Sequence, residues 1–315
     1  MPPETTGLHH VTAIVGDAQQ NVDFYAGVLG LRLVKQTINF EDLLQHHLYY
    51  GNRTGDPGTV ITAFPSPEAD PGRIGKPQVS TAAFAIPPDS IDYWVDHLEA
   101  EGVDVFAGER FGESILAFSD PDGTPLELVA TDTFVEPWTD GPIPREHAIR
   151  GLHGVTVLPA NPYGTATVLE TLGFDLVEES EDVVRYAVED SSSPDSRRSV
   201  VDIDLSAAEF GREGTGTHHH VAVRMPDEDA LHAWRAVFAD RDYDVSRVKD
   251  RHYFHSLYVR GPGGVLVELA TTSPGLTAGE DLAHLGESLS LPDWFEDDRD
   301  LIEQQLPTLE LPRNQ

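Results

Sequence analysis

One order of elements recurs four times along this chain, and nothing else restricts its fold so severely: a short strand, a helix, then strands ending in an apolar run. The first copy opens at Leu8-His9-His10-Val11-Thr12. Its helix is predicted over 18–29, with Val22, Tyr25, Ala26 and Leu29 on one face and Gly30 as a left-handed stop. Strands are expected at 32–37, 46–50 and 59–64. The second copy starts at Ser80, with a helix over 90–101 closed by Gly102 and strands at 114–118 and 125–129. The third starts at Leu152-His153-Gly154-Val155-Thr156, with a helix over 165–172, Gly173 behind it, and strands at 183–188 and 200–205. The fourth starts at His218, with a helix over 228–240 and strands at 255–260 and 265–270. A strand, a helix and three strands make a βαβββ module, and two modules curl a mixed sheet around a cleft. The expected fold is therefore α+β: four βαβββ modules in two domains, 1–132 and 151–272. A Pro- and Gly-containing linker spans 133–150. An acidic arm over 273–315 carries a helix from Pro292-Asp293-Trp294-Phe295 to about Leu306.

Repetition allows the copies to be compared slot by slot. His10 shares its slot with Gly154, and His220 shares its slot with Thr81. The last strand carries Glu268 in the fourth copy and Glu127 in the second. Modules one and four together thus offer His10, His220 and Glu268; modules two and three offer Thr81, Gly154 and Glu127. Two imidazoles and one carboxylate hold one face of an octahedral divalent metal and leave the other face open to substrate and oxygen. One metal site per chain is expected, built by the first and last modules, beside one degenerate cleft. Neighbouring strand residues point to opposite faces, so His9 and His219 compete for the ligand role. His10 and His220 are chosen because they precede the matching Val11 and Val221. His218 is read as solvated or at a strand edge, His46 and His47 as structural with lining of the cleft as the alternative, and Glu127 as a remnant of duplication.

The chain of 315 residues has 54 acids against 21 lysines and arginines, a net charge of −33, and no cysteine. Phosphate recognition needs basic side chains, so nucleic acid is excluded as a partner. Disulfides, thiolate metal sites and a cysteine nucleophile are excluded as well. Such an acidic surface suits concentrated salt, where screening shortens to about 3 Å at 1 M, and a halophilic source is expected. No apolar run approaches a membrane span and no leader is seen at the N-terminus, so a cytoplasmic protein is expected, with a homo-oligomer left open.

These residues resemble the vicinal oxygen chelate superfamily of glyoxalases and extradiol dioxygenases, and within it the hydroquinone-type ring-cleaving dioxygenases. The matching stretches include Leu8–Thr12 as spelled above, His47-Leu48-Tyr49-Tyr50, Arg110-Phe111-Gly112, Tyr253-Phe254-His255-Ser256-Leu257-Tyr258 and Pro262-Gly263-Gly264. The resemblance implies Fe(II) on His10, His220 and Glu268; Mn(II) has a similar affinity for such donors. It implies supporting roles for His9, His219, Arg251 and Tyr258. Tyr258 would hydrogen-bond bound oxygen or phenolate, His219 would move a proton, and Arg251 would hold a ring substituent or the far hydroxyl. His9 and His255 are expected on the substrate side; relatives carry an acid at the position of His255, so substrate preference is expected to differ there. The implied partners are an aromatic substrate and O2. Extradiol cleavage of a catechol, a glyoxalase-type lyase or isomerase, and a non-enzymatic aromatic-binding protein are the alternatives.

Overall fold

In the computed structural model, which describes residues 2–133, 135–189 and 198–311, the four repeats become four modules. The first comprises β1 (Leu8–Val15), α1 (Ala18–Val22), β2 (Arg32–Asn39), β3 (Asp42–Gly51) and β4 (Val60–Pro65). The second comprises β5 (Gln78–Ile86), α2 (Ile91–Ala100), β6 (Phe106–Arg110), β7 (Glu113–Ser119) and β8 (Pro125–Ala130). The third comprises β9 (Leu152–Leu158), α3 (Pro162–Leu172), β10 (Asp175–Glu179), β11 (Val183–Glu189) and β12 (Arg198–Asp204). The fourth comprises β13 (Thr217–Met225), α4 (Glu228–Ala239), β14 (Asp244–Val245), β15 (Lys249–Asp250), β16 (Phe254–Arg260) and β17 (Leu266–Pro274).

Sheet pairing follows the ligand census. One sheet runs β14-β16-β17-β13-β1-β4-β3-β2, with β15 on β16, and joins modules four and one; the other runs β10-β11-β12-β9-β5-β8-β7-β6 and joins three and two. Each sheet therefore takes one module from either side of the 133–150 segment. The first strands of partner modules meet antiparallel at each sheet's centre, β1 with β13 and β5 with β9.

Local chemistry explains the helices. Asn161 and Asp227 cap α3 and α4 by accepting from Gly164 N and Ala230 N, and Gly173 ends α3 at φ 101°. Ala230, Leu231, Trp234 and Phe238 form the buried stripe of α4. The helix predicted over 18–29 changes character midway: α1 gives way to a π-helical stretch, Asp23–Val28, in which Leu29 N–H donates to Phe24 O. Four further strands, β6, β10, β14 and β15, carry no buried apolar alternation and escaped sequence reading. One apolar core runs through both sheets. Among its described residues the C-terminal arm is helical only over Asp293–Asp298 (3-10) and Arg299–Glu303 (α5), and it buries Leu291, Ile302 and Leu306 against Ile38.

Candidate metal centre

Two β-bulges build the centre. Along β1 and β13, Leu8 pairs with Val223 and His10 with Ala222, so His9 is left over. Thr12 pairs with His220 and Ala13 with His218, so His219 is left over. A bulge inserts an unpaired residue and re-aims its side chain. Here it turns each extra histidine toward its neighbour: Nδ1 of His9 lies 2.9 Å from Nδ1 of His10, and Nδ1 of His219 lies 2.7 Å from Nδ1 of His220.

The candidate donor atoms of His10, His220 and Glu268 lie together, as the repeat register predicts. His10 Nε2 is 3.2 Å from His220 Nε2 and 3.0 Å from Glu268 Oε2, and His220 Nε2 is 2.8 Å from the same oxygen. Metal bonds of about 2.1 Å at right angles set neighbouring donors about 3.0 Å apart, the edge of an octahedral face. Among the described residues, this is the one group of three metal-ligating side chains whose donor atoms all lie within 4.8 Å.

The proton positions also favour a cation. His9 Nε2 lies 3.2 Å from Thr271 O and must donate to it. Burial, then the neighbouring His10, pushes the His9 pKa down to about 3, so the ring is neutral and has only that one N–H. Its Nδ1 therefore accepts from His10 Nδ1–H, which leaves His10 Nε2 as the nitrogen that faces His220 and Glu268. Burial pushes His220 down to about 4, and its Nε2 accepts from Thr12 Oγ1 at 3.0 Å. Burial opposes charge on Glu268, but contacts with His220 and His10 hold its carboxyl well below the usual range. Neither Glu268 oxygen has a hydrogen-bond donor, although the residue is only 1% exposed. The adjacent imidazoles are at contact distance without hydrogen-bond geometry. A buried carboxylate with no hydrogen-bond donor, facing the Nε2 atoms of two imidazoles, is costly unless a cation joins them.

Above the triad lies a narrow chamber walled by Phe40, His47, Tyr49, Phe64, Phe254 and Tyr258. Asn39, Phe64, Arg251 and Tyr258 also line an outer cavity of about 560 Å³, whose wall includes His219 and Lys249. The Tyr258 ring meets His220 edge-on at 5.4 Å. Burial, then Glu268, raises its phenol far above the usual range, so it stays protonated. Arg251 donates to the Tyr258 hydroxyl at 3.3 Å and to Glu41 at 3.0 Å.

Several expectations meet a different placement. His255 lies on the strand face opposite Phe254 and Tyr258, with Nε2 3.8 Å from Glu228 and 4.0 Å from Asp250, and lines neither cavity. Strand alternation turns it outward, so it is not placed to touch substrate. His9 lies behind His10 and lines neither cavity. His218 is buried rather than solvated, with Nε2 donating to Pro125 O at 3.0 Å. His46 is structural, donating to Pro307 O of the arm at 2.9 Å. His47, read as structural, instead lines the chamber. Sequence reading missed Thr12, Thr62 and Tyr49; the repeated Thr12 and Thr156 were the available hint.

The second cleft keeps the register and changes the chemistry. Ala83 pairs with Glu127 as Ala222 pairs with Glu268, and Thr81 faces Thr156 as His220 faces Thr12. Glu127 accepts from both terminal nitrogens of Arg110, at 2.6 and 3.1 Å. Asp202 accepts from Arg185 at 2.8 and 2.9 Å and from Arg110 at 3.1 Å.

Paired βαβββ modules around a cleft floored by two histidines and a carboxylate define a fold of the glyoxalase and dioxygenase kind. The chain belongs to the Glyoxalase/Bleomycin resistance protein/Dioxygenase superfamily, whose model matches residues 7–128 and 168–269. It is 42% identical over 313 residues to the "Putative ring-cleaving dioxygenase MhqO" of Bacillus subtilis (strain 168), covering 99% of both chains. It is 33% identical over 308 residues to the Chlorohydroquinone/hydroquinone 1,2-dioxygenase of Sphingobium indicum, covering 95% of each. A crystal structure of a Bacillus subtilis "putative dioxygenase" superposes with a TM-score of 0.92 at 41% identity, covering 98% of this chain and 99% of that one.

Proposed function

We propose that this chain is an Fe(II)-dependent dioxygenase that opens the ring of a hydroquinone with O2. The observation that carries the reading is the donor-less Glu268 carboxylate converging with the Nε2 atoms of His10 and His220, at the floor of an aromatic-walled chamber. The names of the full-length relatives support the ring-cleaving class. His10, His220 and Glu268 would hold the metal, which when bound makes a coordinated phenol acidic and couples it electronically to O2.

The protein's own groups do the rest. Phe40, Phe64 and Phe254 hold the ring and exclude water. Tyr258, kept protonated, donates to the phenolate oxygen, and Arg251 fixes the direction of that donation by donating to Tyr258. His219 stands at the boundary with the outer cavity, and burial lowers its pKa. It is therefore neutral at neutral pH, and because its Nδ1 accepts from His220 Nδ1–H at 2.7 Å it keeps its proton on Nε2 and serves as a proton donor. His9 holds His10 in its ligand tautomer rather than touching substrate. The acidic surplus supports the cytoplasm of a salt-loving cell as the setting.

Anaerobic purification, metal analysis and oxygen uptake in high salt with a panel of 1,4- and 1,2-diols test this. We expect iron-dependent uptake and a ring-opened product with hydroquinones. Turnover of catechols alone would move the assignment to extradiol cleavage; no uptake with either would refute it.

A further inference from the structure

A run of hydrogen bonds crosses the floor of the chamber from the side opposite Tyr258. The Tyr49 hydroxyl is 2.9 Å from His47 Nδ1, and His47 Nε2 is 2.9 Å from Thr62 Oγ1. Thr62 Oγ1 is 2.8 Å from Thr12 Oγ1, which is 3.0 Å from His220 Nε2. Thr62 reaches Thr12 because β1 and β4 run parallel with these two residues in register, and Tyr49 pairs with Thr62 across β3 and β4.

The run has one consistent direction. Thr12 and Thr62 are fully buried and Tyr49 is nearly so, so each hydroxyl proton needs an acceptor. His47 Nδ1 is the hydrogen-bond partner of the Tyr49 hydroxyl; if Nδ1 donated instead, the phenolic proton would be turned toward the aromatic-walled chamber and lose that acceptor. Tyr49 therefore donates to Nδ1. A neutral imidazole has one N–H, and burial keeps His47 well below its ordinary pKa. His47 Nε2–H then donates to Thr62, Thr62 donates to Thr12, and Thr12 donates to the lone pair of His220 Nε2. That same lone pair is the metal ligand. Once it is taken, the Thr12 proton has no acceptor and points at the coordination positions beside His220.

We propose that Tyr49, His47 and Thr62 are positioning residues that aim the Thr12 hydroxyl at an ionised phenolic oxygen of the substrate bound next to His220. The substrate half of this claim rests on the dioxygenase reading; the direction of the chain does not. Together with Tyr258 on the facing wall, the chain gives the chamber two neutral donors converging on one oxygen. This recognises a phenolate and disfavours an ether or an alkylated ring oxygen at that place. The second cleft has no equivalent, because Asp202 stands where Thr62 does and accepts from arginines.

The direction can be read by 15N NMR of the His47 ring in metal-free wild-type protein. We expect protonated Nε2 and bare Nδ1; the opposite tautomer would overturn the proposal. Thr62→Val keeps the shape and cuts the chain. In the Fe(II)-loaded, anaerobic protein we expect this variant to bind hydroquinone about tenfold more weakly than wild type, with Fe(II) affinity within about twofold. Tyr49→Phe should release the tautomer preference of His47 and weaken hydroquinone binding in the same sense. Unchanged hydroquinone affinity in a folded, iron-replete Thr62→Val protein would overturn the proposal. If wild type bound no hydroquinone while His47 showed the expected tautomer, the substrate reading would fall and the chain direction would stand.

Discussion

The two clefts of this molecule are the same backbone solution filled with opposite electrostatics. Both have a central antiparallel strand pair with a bulge on each strand: His9 and His219 are the extra residues in one, Ser80 and His153 in the other. Both place a glutamate on the last strand, opposite an alanine. In the first cleft the glutamate has no donor and faces the Nε2 atoms of His10 and His220. In the second, Arg110 and Arg185 supply fixed positive charge to Glu127 and Asp202. A buried carboxylate needs a cation. In one cleft no side-chain donor reaches the glutamate, whereas in the other guanidinium does, so the shared fold does not by itself fix the chemistry of the cleft.

The largest effect that would sharpen this contrast is Glu268→Gln, expected to cut metal affinity by more than the roughly 100-fold upper range for supporting residues. Glu127→Gln should leave metal affinity unchanged. Next, Arg185→Met leaves the Asp202 carboxylate without its two strongest donors. We expect a loss of about 3–5 kcal/mol in denaturant unfolding, with iron content intact. Smaller again, His9→Ala should weaken metal binding about 10–100-fold by freeing the His10 tautomer, while His153→Ala, its counterpart, should leave metal binding and oxygen uptake nearly untouched.

Acid should separate the clefts further. In the metal-free protein His9, His218 and His220 have folded pKa values of about 3, 4 and 4, against 6.5 as the ordinary value. As pH falls below 6.5 the unfolded chain binds these protons first, so stability is full above that pH and lost toward pH 4. Glu113, in the second cleft, behaves differently. Burial opposes its charge, but His153 and Arg185 hold it at about 2. Its contribution persists down to about the ordinary carboxylate pKa of 4.3 and fades only below it. Thermal melts from pH 7.5 to 3.5 should show the decline beginning near 6.5 in metal-free protein, and Glu113→Gln should leave that upper part of the profile unmoved.

Much of this was legible in the sequence because duplication makes a chain its own reference. His10, His220 and Glu268 could be picked out by comparing slots with Gly154, Thr81 and Glu127, without knowing any contact. The pairing of module one with module four followed, since no other pairing completes the triad. The bulges were not legible: strict alternation put His9 and His219 on the opposite face from their neighbours, and only the pairing register reveals that one residue is extra on each strand. The chain from Tyr49 to Thr12 was hidden for the same reason, since it depends on β4 lying parallel to β1 in one register. His255 was misplaced because its neighbours Phe254 and Tyr258 do line the chamber, and proximity in sequence is not proximity on a strand face. The edge strands β6, β10 and β14 lack a buried apolar face, so no periodicity announced them.

Anomalous diffraction at the iron edge, from crystals loaded with Fe(II) under anaerobic conditions, tests the central claim most directly. One peak per chain is expected, within bonding distance of His10 Nε2, His220 Nε2 and the Glu268 carboxylate. A peak beside Glu127, or none between those three side chains, would contradict it.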